Sequence, residues 1–158
     1  MYLVAYDGSA LANAALDRAA RFAPATGHDV LAVAVVPDDS KYAVEAGWVP
    51  SREVFDRQTV VGELHKTAVD IAPSASFRAV SVGRNPAPGN IVAELKAVAS
   101  ETDASVIFVG SENAGRVIVP LVSVGGNVAS DDSHDVHIVR HASPEIHRRF
   151  PKSHFYLP

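Results

Sequence analysis

The feature that most constrains this chain is a repeated change of period. Short apolar runs alternate with stretches whose apolar positions recur every three or four residues. Tyr2–Tyr6 is a short apolar run without polar alternation, as expected for a strand buried on both faces, and Asp29–Val36 (DVLAVAVV), Phe77–Val82, Ser105–Val109 (SVIFV) and Val136–Val139 read as the other four strands. Between the first two, apolar residues fall at 11, 12, 15, 16, 19, 22 and 23, which is helical spacing. Ser9 is placed to cap that helix by accepting from its open N–H groups, and Arg18 and Arg21 lie towards its C-terminal end, where the dipole favours cations. Pro24 and Gly27 are expected to stop it. Ser51 is expected to cap a second helix running to about Ala72, with Val54, Val61, Leu64, Ala68 and Ile71 as its apolar stripe and Gly62 weakening its middle. Pro88 suits the first turn of a third helix ending near Ser100, with Ile91, Leu95 and Val98 facing inward. Ser123 opens a short helix to about Asp131. Strands and helices in strict alternation predict an α/β fold with a parallel sheet covered on both faces.

Length and composition fit one such domain. The chain has 158 residues, 47% hydrophobic and 20% charged, which is enough to bury a core without staples. It has no cysteine, which excludes disulfides and thiolate chemistry and fits a reducing compartment. The opening MYLVAYDGS is too short for a signal-peptide core, and no apolar run approaches the roughly 18 residues that span a membrane, so a cytoplasmic location is expected. Net charge is −4 with acidic residues spread along the chain, which speaks against nucleic acid as the main partner. The basic cluster His147-Arg148-Arg149 with Lys152 reads as a solvated tail. The stretch from Pro37 to Pro50, which holds the only tryptophan, Trp48, is long for a loop and is therefore either a lid or locally ordered.

In doubly wound sheets ligands bind beyond the carboxyl ends of the strands, where strand order reverses. Two segments compete for that position: Asp7-Gly8-Ser9 after the first strand, and Gly110–Ser123 after the fourth. A glycine-containing loop feeding a helix can offer backbone N–H groups to phosphate. If strands one and four are neighbours, both segments face one crevice.

Four segments together resemble the universal stress protein family: the opening strand with Asp7-Gly8-Ser9, Val82-Gly83-Arg84-Asn85-Pro86 followed by a helix with Ile91, Asp103–Ser111 (DASVIFVGS), and the closing Val136–Arg140 strand. The resemblance covers residues 1–141, leaving 142–158 as a C-terminal extension. It implies a three-layer α/β/α sandwich with a five-stranded parallel sheet in the order 3-2-1-4-5, the adenine nucleotide alpha hydrolase-like arrangement. It also implies an adenosine site in which Asp7 lies near the nucleoside and the Val35 backbone reads the adenine edge. The phosphate loop of the ATP-binding branch runs G-x2-G-x9-G-S/T. Here Gly110 and Ser111 match its start, the second glycine falls on Asn113 with Gly115 two residues on, and the final pair falls on Val122-Ser123 with the loop one residue short. Asn113 tolerates left-handed backbone; the β-branched Val122 does not, and Glu112 sets a negative charge beside the phosphates. Arg116 could supply a cation. Two readings follow: ATP or AMP, with Mg²⁺, in the crevice, or a homodimeric interaction module that has lost its nucleotide. Asp7, Ser9, Val35 and Arg116 also have plain roles as turn former, helix cap, core residue and exposed loop residue.

No catalytic constellation is present. Ser9 and Ser123 lack His/Asp partners at motif spacing, and there is no G-x-S-x-G and no P-loop lysine, so at most slow ATP hydrolysis is expected. Five of the seven histidines lie in the last 25 residues. His134, His137 and His141 would straddle a strand, which is poor metal-ligand geometry, and solvated or pH-sensitive surface histidines are the default expectation. The resemblance implies dimerisation through the fifth strand, Val136–Val139, with the tail covering that edge or crossing to the partner; which protein receives the signal is not legible.

Overall fold

The computed structural model describes residues 1–111 and 134–142, apart from the Pro88 side chain. Five strands form one sheet in the order β3-β2-β1-β4-β5: β1 Tyr2–Ala5, β2 Val30–Val35, β3 Ser76–Val80, β4 Val106–Gly110 and β5 Asp135–Val139. Every pairing is parallel. β1 lies between β2, with Val4 opposite Ala32, and β4, with Val4 opposite Phe108. The central strands are buried along their whole length, as runs without polar alternation require.

Alternate residues of β1 feed two cores. Tyr2, Val4 and Tyr6 pack with α1 (Ala10–Thr26) and α3 (Arg57–Ile71). Leu3 and Ala5 pack with Leu95, Val98 and Ala99 of α4 (Pro88–Glu101). The result is the three-layer α/β/α sandwich. Helix α1 packs on the sheet and beside α3 on the same face, and its small residues Ala12, Ala15 and Ala19 are fully buried there.

Several boundaries differ from the sequence reading. Pro24 lies inside α1; a proline this near the end forfeits one N–H, and the helix runs on to Thr26 before Gly27, at φ 67°, closes it by donating to the Ala23 carbonyl. Arg18 and Arg21 are consequently mid-helix, and Arg21 pairs with Asp17 at 2.9 Å. The long connection after β2 is locally ordered: Asp39 caps a short α2, Ser40–Glu45, accepting from the N–H groups of Lys41 and Tyr42. Ser51 makes no side-chain cap and precedes only a single 3₁₀ turn, Arg52–Val54. The cap of α3 is Asp56, which accepts from the Thr59 N–H at 2.9 Å and its hydroxyl at 2.6 Å. With the helix starting later, its buried stripe is Val60, Leu64, Ala68 and Ile71, while Val54 is left 59% exposed. The helix expected at Ser123 lies outside the described residues.

Candidate functional site

The Asp7 turn leaves β1 at the centre of the sheet. Gly8 adopts φ 78°, a left-handed conformation that glycine takes without strain. The Asp7 carboxylate accepts the Ser9 N–H at 2.9 Å, closing an Asx turn, and the Ser9 hydroxyl accepts the Ala12 N–H at 3.3 Å, capping α1. Asn13, 1% exposed, donates to the Gly8 carbonyl and accepts the Tyr6 hydroxyl at 2.8 Å. Burial, and after it the Asp7 and Asp70 carboxylates, push the Tyr6 phenol well above its ordinary range, so it serves as a neutral donor. From the far side, the Trp48 indole N–H donates to the Asp7 carbonyl at 2.9 Å.

Gly110 is the last residue of β4, paired with Val139 of β5, rather than the first residue of a loop. A Cβ there would lie 2.8 Å from both the Leu11 carbonyl carbon and its Cβ, and 3.0 Å from the Ala12 nitrogen. The carboxyl end of β4 therefore presses on the first turn of α1 without an intervening side chain. This contact brings the two segments that the sequence set in competition, Asp7-Gly8-Ser9 and Gly110-Ser111, to the same end of the sheet, at the point where strand order reverses.

Val35 ends β2 beside them. The Tyr6 N–H donates to the Val33 carbonyl, and the Val36 N–H to Val80 on the opposite side. In a parallel strand successive peptide groups alternate sides, so those of Val35 face the β1 side, past the last β1–β2 pair, Ala5 with Val33. Its side chain, 7% exposed, belongs to the α4 core. Of the remaining expected site residues, Asn113, Gly115, Arg116 and Ser123 lie outside the described residues.

This geometry has counterparts. The model of the universal stress protein family matches residues 2–140. The chain belongs to the universal stress protein family. Solved relatives agree in fold: a universal stress protein in complex with cAMP (23% identity, TM-score 0.50, 89% of this chain and 96% of that one) and a family protein from Burkholderia pseudomallei (21%, 0.53, 89% and 95%). A third, from Archaeoglobus fulgidus DSM 4304 (22%, 0.50), covers 90% of this chain and 44% of the longer relative. No curated protein matches it. The sheet order and the helices on both faces are those of the adenine nucleotide alpha hydrolase-like fold.

Two of these histidines, His134 and His137, are half-buried. His134 turns Nδ1 to the Ala104 carbonyl. His137 stacks on Phe108 with ring centroids 4.8 Å apart and meets Phe22 edge-on. Desolvation, and after it the Arg18 charge, holds the His137 pKa below its ordinary value. His141 alone of the three is exposed. Among the described residues no group of three His, Asp or Glu side chains could hold a metal ion. No helix among them is long and apolar enough to cross a membrane.

A second concavity of ≈ 350 Å³ opens at the ends of β2 and β3, lined by Asp38, Asp39, Ser40, Phe55, Arg84 and Asn85. Asp39 is occupied structurally there. Besides capping α2 it accepts the Asn85 N–H at 2.9 Å, and those backbone donors hold its carboxyl below the usual range. Sequence reasoning missed Asn13, Tyr6 and the role of Trp48. A lone Asn in an Ala- and Leu-rich helix face was the available signal for the first; nothing local marks Trp48 as a partner of Asp7, because 41 residues separate them.

Proposed function

We propose that this universal stress protein binds an adenine nucleotide, ATP or AMP, in the crevice between β1 and β4 and acts as a cytoplasmic stress-response regulator. The observation that supports this reading is the close approach of Gly110 to Leu11, which brings the Asp7 turn, the capped start of α1 and the Gly110-Ser111 strand end together at one end of the sheet. The N–H groups of the first turn of α1 suit an anion, and the outward peptide groups of Val35 suit the hydrogen-bonding edge of a base. A relative with the same fold is in complex with cAMP. Mg²⁺ would arrive on the nucleotide's phosphates, and the chain contributes binding and orientation rather than a base for hydrolysis. Calorimetric titration with ATP, ADP and AMP in the presence of Mg²⁺ tests this. Saturable heat in the wild type, weakened about tenfold or more in Asp7→Ala, is the expected result. No heat and no thermal shift with any of the three refutes it.

A second feature supports self-association. Among the described residues β5 is the last strand of the sheet, pairing only with β4, and Ile138 on it is 37% exposed. We propose a homodimer through Val136–Val139, with the tail from His141 onward contributing. Sedimentation should give a dimer that Ile138→Lys converts to monomer, and truncation at His141 should weaken it. An unchanged oligomeric state in the truncated protein removes the tail from the interface.

A further inference from the structure

The Asp7 turn is fixed from its own side by the Asx turn, the Ser9 cap and Asn13, all within seven residues of it in sequence. A contact from a distant part of the chain joins them: the indole of Trp48, across 41 residues. That indole is itself held. Gly47 at φ 76° turns the chain after α2, the Trp48 N–H donates to the Ala43 carbonyl at 2.9 Å, and the ring packs against Tyr42 with centroids 5.5 Å apart. Trp48 is 6% exposed and Ala43 beneath it is fully buried. A buried indole usually finds a partner for its N–H, and here that partner is the main chain of Asp7, whose carboxylate closes the Asx turn.

We propose that Trp48 is a positioning residue of the crevice: by holding the Asp7 carbonyl it sets the direction in which the Asp7 carboxylate meets a bound nucleotide. This rests on the nucleotide-binding reading above, but its first consequence does not need ligand. A peptide plane is rigid, so fixing the Asp7 carbonyl also fixes the Gly8 N–H, and through Gly8 the start of α1. Gly8 has the widest backbone freedom of any residue type, so without an outside tether the turn samples other conformations. Trp48→Phe keeps the aromatic body against Tyr42 and deletes only the donor.

Three measurements decide the matter. In ligand-free protein, hydrogen exchange at Gly8, Ser9 and Ala10 should accelerate about three- to tenfold in Trp48→Phe, while the amides of Val4 and Ala32 keep their wild-type rates. With nucleotide, Trp48→Phe should weaken affinity by a similar factor in the wild-type background and leave it unchanged in Asp7→Ala, because the tryptophan acts through that carboxylate. Trp48 is the only tryptophan, so its emission should change saturably with the dissociation constant found by calorimetry. Unaltered exchange at the turn overturns the proposal even if nucleotide binds. Altered exchange with no nucleotide binding leaves the tether standing and removes the ligand reading. Equal losses in both backgrounds show a merely structural role and also overturn it.

Discussion

Replacing Gly110 by alanine is the sharpest perturbation this architecture offers. At an ordinary strand position the change should stabilise, because it restricts the unfolded chain and is worth about 0.4–1 kcal/mol. Gly110 is not among the described glycines with positive φ, so alanine meets no backbone strain there. What it meets is α1: the new methyl would sit 2.8 Å from the Leu11 carbonyl carbon, against an optimum of roughly 3.5–4.0 Å between carbons. The obstructing atoms include backbone, so the helix and strand must separate by more than half an ångström, about the scale at which overpacking costs 1–3 kcal/mol. Net of the unfolded-state gain, the expected loss is up to about 2.6 kcal/mol. In a domain this size that lowers Tm by up to about 10 °C. Differential scanning calorimetry reads it directly. The same displacement moves the Asp7 turn away from the end of β4, so nucleotide affinity should fall in the variant as well. A Gly110→Ala protein with a raised Tm would show that β4 and α1 do not touch at this point, and the crevice as described would be wrong.

Gly62→Ala is the matched contrast: nothing lies within 4 Å of a Cβ added there, in mid-helix, so stability should rise by about 0.5–1 kcal/mol in the same calorimetric scan. Tyr6→Phe strips the partner from the buried Asn13 amide and should cost about 1–2 kcal/mol in urea unfolding without moving the slope of the transition. His137 titrates lower in the fold than unfolded, so between those two pKa values the unfolded chain binds more protons; stability should therefore be complete above pH ~6.5 and decline as pH falls below it. His137→Phe keeps the stack on Phe108 and should remove that part of the pH profile. A further loss at lower pH should remain as Asp39 and Asp56, both held below the usual carboxylate range by the N–H groups they cap, take up protons.

Much of the fold was legible because burial on both faces leaves a plain trace. The runs around Val4, Val33 and Phe108 carry no polar alternation, and helical spacing between them leaves few topologies open. The strand order came from the family resemblance, and the pairings of β1 with β2 and β4 agree with it. Helix boundaries were less legible, for a local reason: Ser51 and Asp56 are both competent caps, and only tertiary contacts choose. Phe55 packs on the core and Arg57 donates to the Val36 carbonyl at 2.8 Å, which places the helix start at Arg57. The role of Gly110 was hidden differently. A glycine that admits a neighbouring helix and one that admits a phosphate look alike in sequence, and here the first demand is met by Leu11 within the protein. The surroundings of His137 were not legible because nothing in its local sequence, between Val136 and Ile138, marks its ring neighbours, Phe22 and Phe108, which come from α1 and β4.

The central claim is that the ends of β1 and β4 form one ligand crevice. Amide chemical shifts followed during a titration of ¹⁵N-labelled protein with AMP test it residue by residue. The account predicts saturable shifts at Gly8, Ser9, Val35, Gly110 and Ser111, with β3 and α3 unmoved. Shifts confined to the β3 side of the sheet, or none at saturating nucleotide, would contradict it.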